Sequence, residues 1–416
     1  MQKFSIIAMI QSVKIYIKNS AIKKFSSAPT IWILIFVLSV LSSPLYLHAE
    51  PGPLYIGASI SLEGKYEMPS WMVEKGYELW TDQINRSGGL LGKKVKLVLY
   101  NDKSRLDMVR SLYSKMITQD HVDLILSPYD SPLTLAASEV SEAHHYVMLA
   151  CGASSEKIWE RNYKYIFGVY APAGRYMIGF QNLMAKNGFN TLGVIFANSP
   201  FNAAIAQGVK KWTGLFSMNL IYMQSFQDGK KEFSSILNKV MAKNPEGLIF
   251  SAYPLDSYKF IKLMKKKNYR PKALAFTIVP AFPDFYERTG AFADGVFGPS
   301  QWEPDARLPF PGTVEFIHNF KKFTGKMPDY HACSAFSACQ ILEKAVKQIK
   351  SLDQDKIRDF IMALDTVTVM GRFKVDHTGL QIGHNPIVIQ WQHGKKEIVY
   401  PESMETSPAD FKAGGK

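Results

Sequence analysis

Leu54-Tyr-Ile-Gly-Ala-Ser-Ile60, Val95-Lys-Leu-Val-Leu-Tyr100 and Val122-Asp-Leu-Ile-Leu126 are apolar runs of strand length, and what separates them decides the fold. Between the first two, Val73, Tyr77, Trp80 and Ile84 recur at helical spacing until Gly88-Gly89 ends the pattern. Between the second and third, Val109, Leu112, Tyr113, Met116 and Ile117 do the same, and a further helix leads to Tyr146-Val-Met-Leu-Ala150. Strands that alternate with helices are joined by right-handed crossovers, and nearly unbroken apolar strands are those buried on both faces. The reading is α/β, a doubly wound parallel sheet with helices on both sides.

Working towards the C-terminus, the pattern restarts. Thr191-Leu-Gly-Val-Ile-Phe-Ala197, Leu220 to Phe226, Gly247-Leu-Ile-Phe-Ser-Ala252 and Ala273 to Thr277 read as strands, with helices near 203–215, 233–242 and 256–267 between them. This predicts a second doubly wound lobe. A Pro-rich stretch, Pro299 to Pro311, precedes helices near 333–350 and 355–364 and short strands ending in Val388-Ile-Gln-Trp391, His393-Gly394 and Glu397-Ile-Val399. A chain of 416 residues, 47% of them hydrophobic, can fill two cores. With 20% charged residues and a mean hydropathy of -0.08, neither a disordered chain nor a multi-span membrane protein fits.

The N-terminus reads as an export leader. Lys3, Lys14, Lys18, Lys23 and Lys24 precede the apolar core Ile31-Trp-Ile-Leu-Ile-Phe-Val-Leu-Ser-Val-Leu41, which is too short to span a bilayer alone. Cleavage after Leu47-His48-Ala49 makes 1–49 a signal peptide. Counting Leu45 to Leu47 extends the apolar stretch towards spanning length, so an uncleaved membrane anchor is the alternative. The remaining excess of the +13 formal charge is scattered, as in Lys265-Lys266-Lys267 on a helix, and reads as solvated faces rather than a nucleic-acid site. Cys333 and Cys339 fall on different faces of one helix, so with Cys151 they read as isolated buried thiols.

Catalytic and cofactor motifs are missing: there is no phosphate-binding loop, nucleophile elbow, H-E-x-x-H or C-x-x-C. No catalytic residue, metal ligand or cofactor is assigned, and the adjacent His144-His145 cannot face one ion from a helix. In doubly wound sheets ligands bind beyond the carboxyl ends of the strands. There the chain carries Ser127-Pro-Tyr-Asp-Ser131-Pro, where Ser131 precedes a helix and either caps it or grips a carboxylate. It also carries the turn Cys151-Gly-Ala153-Ser154-Ser155. Phe201, Tyr253, Tyr66 and Trp71 follow other strands, as rings that could close over a guest or simply pack in loops.

Ile56-Gly-Ala-Ser-Ile-Ser-Leu-Glu-Gly64, Gln83-Ile-Asn-Arg-Ser-Gly-Gly-Leu-Leu-Gly92, Tyr100-Asn-Asp102, Gly152-Ala-Ser154, Gln390-Trp-Gln-His-Gly394 and Val399-Tyr-Pro401 carry a resemblance. In their order and spacing the chain resembles the type I periplasmic solute-binding proteins of the leucine/isoleucine/valine branch, which serve ABC importers. The resemblance implies two lobes joined by crossovers near 171–172, 299–300 and 370–371. It gives an N-lobe of 51–171 plus 300–370, a C-lobe of 172–299 plus 371–401, and a loose polar tail, 402–416. It implies that Ser131, Ala153 and Ser154 hold the solute from the N-lobe and that Phe201 and Tyr253 close over it from the C-lobe. A membrane permease is the implied partner and the periplasm the implied location. In amino-acid binders an acid of the second lobe pairs with the ligand's ammonium, but Ala275-Phe-Thr-Ile-Val-Pro-Ala281 has no carboxylate, and Asp256 or Asp284 could substitute only in a shifted alignment. That departure points towards a carboxylate, amide or aromatic acid as alternatives to an amino acid. A ligand-sensing receptor subunit and a secreted enzyme are the rival functions.

Overall fold

A computed structural model describes residues 52–229 and 233–412. The leader read at 1–49 and the last residues of the tail lie outside the described residues. In chain order the first lobe begins with β1 (Leu54–Ile60), α1 (Glu67–Arg86), β2 (Val95–Asn101), α2 (Leu106–Thr118), β3 (Leu124–Ile125), α3 (Ser131–Ala143), β4 (Met148–Ala150) and β5 (Ile166–Gly168). The strands pair in parallel in the order β2-β1-β3, with a second parallel pair, β4-β5. Every residue of β1 except Tyr55 is buried, as expected of a strand covered on both faces. At the carboxyl ends of β1 and β2, buried Asp102 accepts hydrogen bonds from Ser59 Oγ (2.8 Å) and Ser61 Oγ (2.5 Å), tying the two strand ends together.

The second lobe contains α4 (Ile178–Lys186), β6 (Thr191–Ala197), α5 (Pro200–Thr213), β7 (Asn219–Phe226), α6 (Ser234–Lys243), β8 (Gly247–Ser251), α7 (Pro254–Lys267), β9 (Ala273–Phe276), α8 (Phe285–Thr289) and β10 (Val296–Ser300). The chain continues through α9 (Thr313–Thr324), α10 (Tyr330–Ile349), α11 (Gln354–Ala363), β11 (Thr366–Thr368), β12 (Gly371–Phe373), β13 (Ile387–Gln392) and β14 (Lys395–Tyr400). One seven-stranded sheet runs β14-β13-β10-β9-β8-β6-β7, antiparallel only where β13 and β14 join. Its core is aromatic: Phe250 stacks on Phe260 at 4.1 Å, with Phe226, Phe233 and Phe276 around them.

Helix α10 returns to the first lobe and packs on α1. Gly76 makes the close approach possible, because a Cβ there would lie 2.5 Å from the Ala332 carbonyl oxygen and 2.8 Å from Ala335 Cβ. Trp80 Nε1 donates to Glu343 Oε2 at 2.8 Å, closing the same helix pair. The segments that pass between the sheets lie side by side: the Ala171 N–H donates to Gln301 Oε1 at 3.0 Å, and His384 Nε2 sits 3.2 Å from the same oxygen. The turn through Gly379 stays with β5, whose Gly168 N–H it receives, and the chain enters the seven-stranded sheet only at Ile387.

The stretch after Pro401, read as loose, is docked as far as Lys412. The Gln390 amide bonds both backbone groups of Asp410, and the Phe411 ring sits 5.0 Å from both Phe189 and Phe297. One buried amide and one ring anchor a segment whose composition is polar. Cys151, Cys333 and Cys339 are buried free thiols. Among the described residues no helix is long and apolar enough to cross a membrane.

Candidate functional site

The loop that leaves β3 carries the chemistry. Ser127 Oγ accepts from the Cys151 N–H (3.1 Å), which draws the β4 loop against the β3 loop. Asp130, not Ser131, caps α3: its Oδ1 accepts from the Leu133 N–H at 3.3 Å, and Pro132 follows in the first turn. Ser131 has a different task. Its Oγ accepts from the backbone N–H groups of Ser154 and Ser155, each at 3.2 Å, so one hydroxyl joins the two loops that were expected to grip a ligand. Ser131→Ala leaves those two buried amides without an acceptor. The unfolding free energy is expected to fall by about 1–3 kcal/mol in denaturant titration, with the fold retained; an unchanged midpoint would remove this hydroxyl from the account.

Around this junction the two lobes meet. Tyr129, Asp130, Ser131, Gly152, Ser154 and Tyr170 from the first lobe, Tyr176, Phe201 and Tyr253 from the second, and Tyr330 at the head of α10 line a narrow, nearly closed cavity with about 10 Å³ of free volume. The rings interlock: Tyr176 meets Phe201 edge-on at 5.4 Å, Tyr170 meets Tyr330 at 5.5 Å, and Tyr66 meets Tyr253 at 4.9 Å and Tyr129 at 6.0 Å. Of the residues expected from sequence, Ser131, Ser154, Phe201 and Tyr253 line this cavity. Ala153 is buried in the same turn and Tyr66 abuts Tyr253. Trp71 is not brought to it. That ring lies in a separate groove with Leu62, Met68, Pro283 and Arg288, beneath Lys326 Nζ at 4.5 Å.

Four buried polar atoms at this junction have no hydrogen-bond partner: Asp130 Oδ2 and the hydroxyls of Tyr66, Tyr170 and Tyr253. Asp130 is only 2% exposed. Burial pushes its carboxyl up to about 6, against the opposing pull of Tyr253 and Lys65. The Tyr66 and Tyr253 hydroxyls lie near that carboxylate without completing a hydrogen bond of normal geometry. Unpaired buried polar atoms are costly, and Asp130, Tyr170 and Tyr253, which carry three of these four, line the cavity. Asp256 and Asp284 do not serve here: Asp256 accepts from the Gly229 N–H, and Asp284 pairs with Arg288 at 2.7 Å.

Polar contacts also cross the seam beside the cavity. Lys65 Nζ pairs with Asp228 Oδ2 at 2.5 Å and lies over the rings of Tyr66 and Tyr253, at 4.6 and 5.4 Å from their centroids. Ser155 Oγ donates to the Pro200 carbonyl at 3.2 Å. Sequence reading passed over Asp130, Lys65, Tyr129, Tyr170, Tyr176 and Tyr330. The available signal was Asp130 itself, since an Asp two residues before a Pro is a strong cap and a cap at a strand end faces the ligand side.

A family model for periplasmic binding proteins matches residues 53–396. The chain belongs to that family. Among its relatives, a Leu/Ile/Val-binding protein homolog 7 of Brucella suis is 22% identical over 353 residues, 80% of this chain and 88% of the relative. A homolog 8 of Brucella abortus is 23% identical over 387 residues, covering 87% and 92%. In fold the chain is similar to a leucine-binding protein of Thermotoga maritima, with a TM-score of 0.75 at 17% identity over 83% of this chain and 97% of that one. An R. palustris solute-binding protein solved with benzoate gives 0.75 at 18% identity, covering 86% and 98%. A Streptococcus pneumoniae branched-chain amino acid binding protein solved with isoleucine gives 0.75 at 17% identity, covering 84% and 100%. The two-lobed parallel-sheet architecture read from the sequence is the architecture of this family.

Proposed function

We propose that this chain is the extracytoplasmic solute-binding component of an ABC importer, which captures a small polar solute between its lobes and presents the closed form to a membrane permease. One observation carries the reading: a nearly closed cavity walled from both lobes, whose lining residues Asp130, Tyr170 and Tyr253 carry buried polar atoms without partners. A guest that touches both walls binds the closed arrangement better than the open one, and that difference in affinity drives closure. The isoleucine and benzoate held by structural neighbours support an amino acid or a related acid as the solute class. The apolar stretch Ile31–Leu41 behind five lysines supports export to the periplasm. The family supports binding rather than catalysis, and no catalytic motif was read in the chain.

The test is thermal unfolding against a panel of amino acids, small carboxylates, amides and sugars. A true ligand at a hundred times its Kd stabilises the folded state by about 2.7 kcal/mol without being consumed. Product formation in the same tubes would favour the secreted enzyme. Within this reading the Lys65–Asp228 pair acts as a latch. Both partners keep some solvent contact, so Asp228→Asn is expected to cost under about 1 kcal/mol, read as a few-fold faster ligand release that high salt reproduces in the parent protein.

A further inference from the structure

We infer that Asp130 is the counter-ion for a protonated nitrogen on the captured solute, so that the solute belongs to the amine-bearing class, such as an amino acid, rather than to the simple carboxylic acids. The inference rests on the solute-capture reading above and names the charge of its ligand. It also revises the expectation drawn from the carboxylate-free stretch 275–281, because the acid that stretch lacks is supplied from the opposite wall.

Asp130 divides its two oxygens between two tasks. Oδ1 accepts from the Leu133 N–H and holds the first turn of α3, while Oδ2 is buried, unpartnered and part of the cavity wall. The cation whose charge acts on it, Lys65, is already engaged: its Nζ pairs with Asp228 at 2.5 Å. Rings surround the carboxylate, and burial first, then its charge, raise the pKa of the hydroxyls of Tyr66, Tyr129 and Tyr253. The faces of these rings attract a cation, so together with the carboxylate they suit an ammonium. A simple carboxylate here would meet a buried negative charge, the arrangement that costs most when it is left uncompensated. The N-terminus of α3 and the Ser131 hydroxyl lie one residue away and can take the opposite end of a zwitterion.

The experiment is calorimetry on the dialysed full chain with matched triplets: leucine, 4-methylpentanoate and 3-methylbutylamine, then phenylalanine, 3-phenylpropanoate and 2-phenylethylamine, with neutral amides and sugars as further arms. The expected result is saturable binding by an amine-bearing member, with its deaminated partner about a hundred-fold weaker. Asp130→Asn and Asp130→Ser, which both retain an acceptor for the helix cap, are expected to lose about a hundred-fold in affinity for the amine while unfolding cooperatively. Equal affinity for an amino acid and its deaminated partner, binding confined to acids, amides or sugars, or undiminished affinity in both variants would overturn the assignment and leave solute capture standing. No binding in any arm would instead overturn capture itself, and this inference with it.

Discussion

Asp130→Asn, the substitution expected to cripple ligand binding, is expected to make the empty protein more stable. In the folded chain burial raises this carboxyl from 3.8 to about 6, whereas in the unfolded chain it titrates near its ordinary value. Below about pH 4 both states hold the proton and the group is neutral towards stability. As the pH rises from about 4 to about 6 the unfolded state releases its proton first, so the folded state loses ground by about 1.4 kcal/mol per unit, and the loss is complete above about pH 6. Roughly two units amount to about 3 kcal/mol, which the asparagine variant, having no charge to bury, recovers at pH 7.5. Urea titrations of ligand-free parent and variant at pH 4.5 and 7.5 measure this. A variant that is less stable at pH 7.5, or whose stability follows pH just as the parent's does, would contradict the burial of an ionised Asp130.

Gly76→Val has the largest expected cost to folding. Its Cβ would lie 2.5 Å from the Ala332 carbonyl oxygen and 2.8 Å from Ala335 Cβ, and both neighbours are backbone or Cβ of a facing helix, which cannot swing aside. Valine is a slightly better helix former than glycine, a gain of a few tenths of a kcal/mol that the overlap overwhelms. Overpacking with a forced backbone shift costs about 3 kcal/mol here, at the upper end of such substitutions. Because α10 also carries Tyr330 to the cavity wall, ligand affinity should fall with stability. A denaturation midpoint within error of the parent would mean that α1 and α10 do not touch as described.

The alternation of strand and helix was legible because buried parallel strands leave a clear trace: β1, β6 and β8 are largely apolar runs in which nearly every residue is buried. Strand β10 was hidden by Gly298-Pro299, which break the usual strand signature, and β5 by its brevity. At the site, Ser131, Ser154, Phe201, Tyr253 and Tyr66 could be picked out because each stands at or near the carboxyl end of a strand. Trp71 met part of that criterion but lies a full turn inside α1. Asp130 was passed over because a cap looks structurally satisfied from sequence. Only three-dimensional placement distinguishes the oxygen that caps from the one left bare. The docking of Phe411 was invisible for a related reason, since the amide that anchors its neighbour stands some twenty residues away in an internal strand.

One side-chain amide sets the manner in which the two walls can part. Gln301 Oε1 receives the Ala171 peptide and neighbours the His384 imidazole, so segments passing between the lobes are pinned to each other at a common point. A pin of this kind permits pivoting and resists translation. Lobes that swing about it return to the same registry, and the tyrosines on facing sides come back to the same positions at every closure.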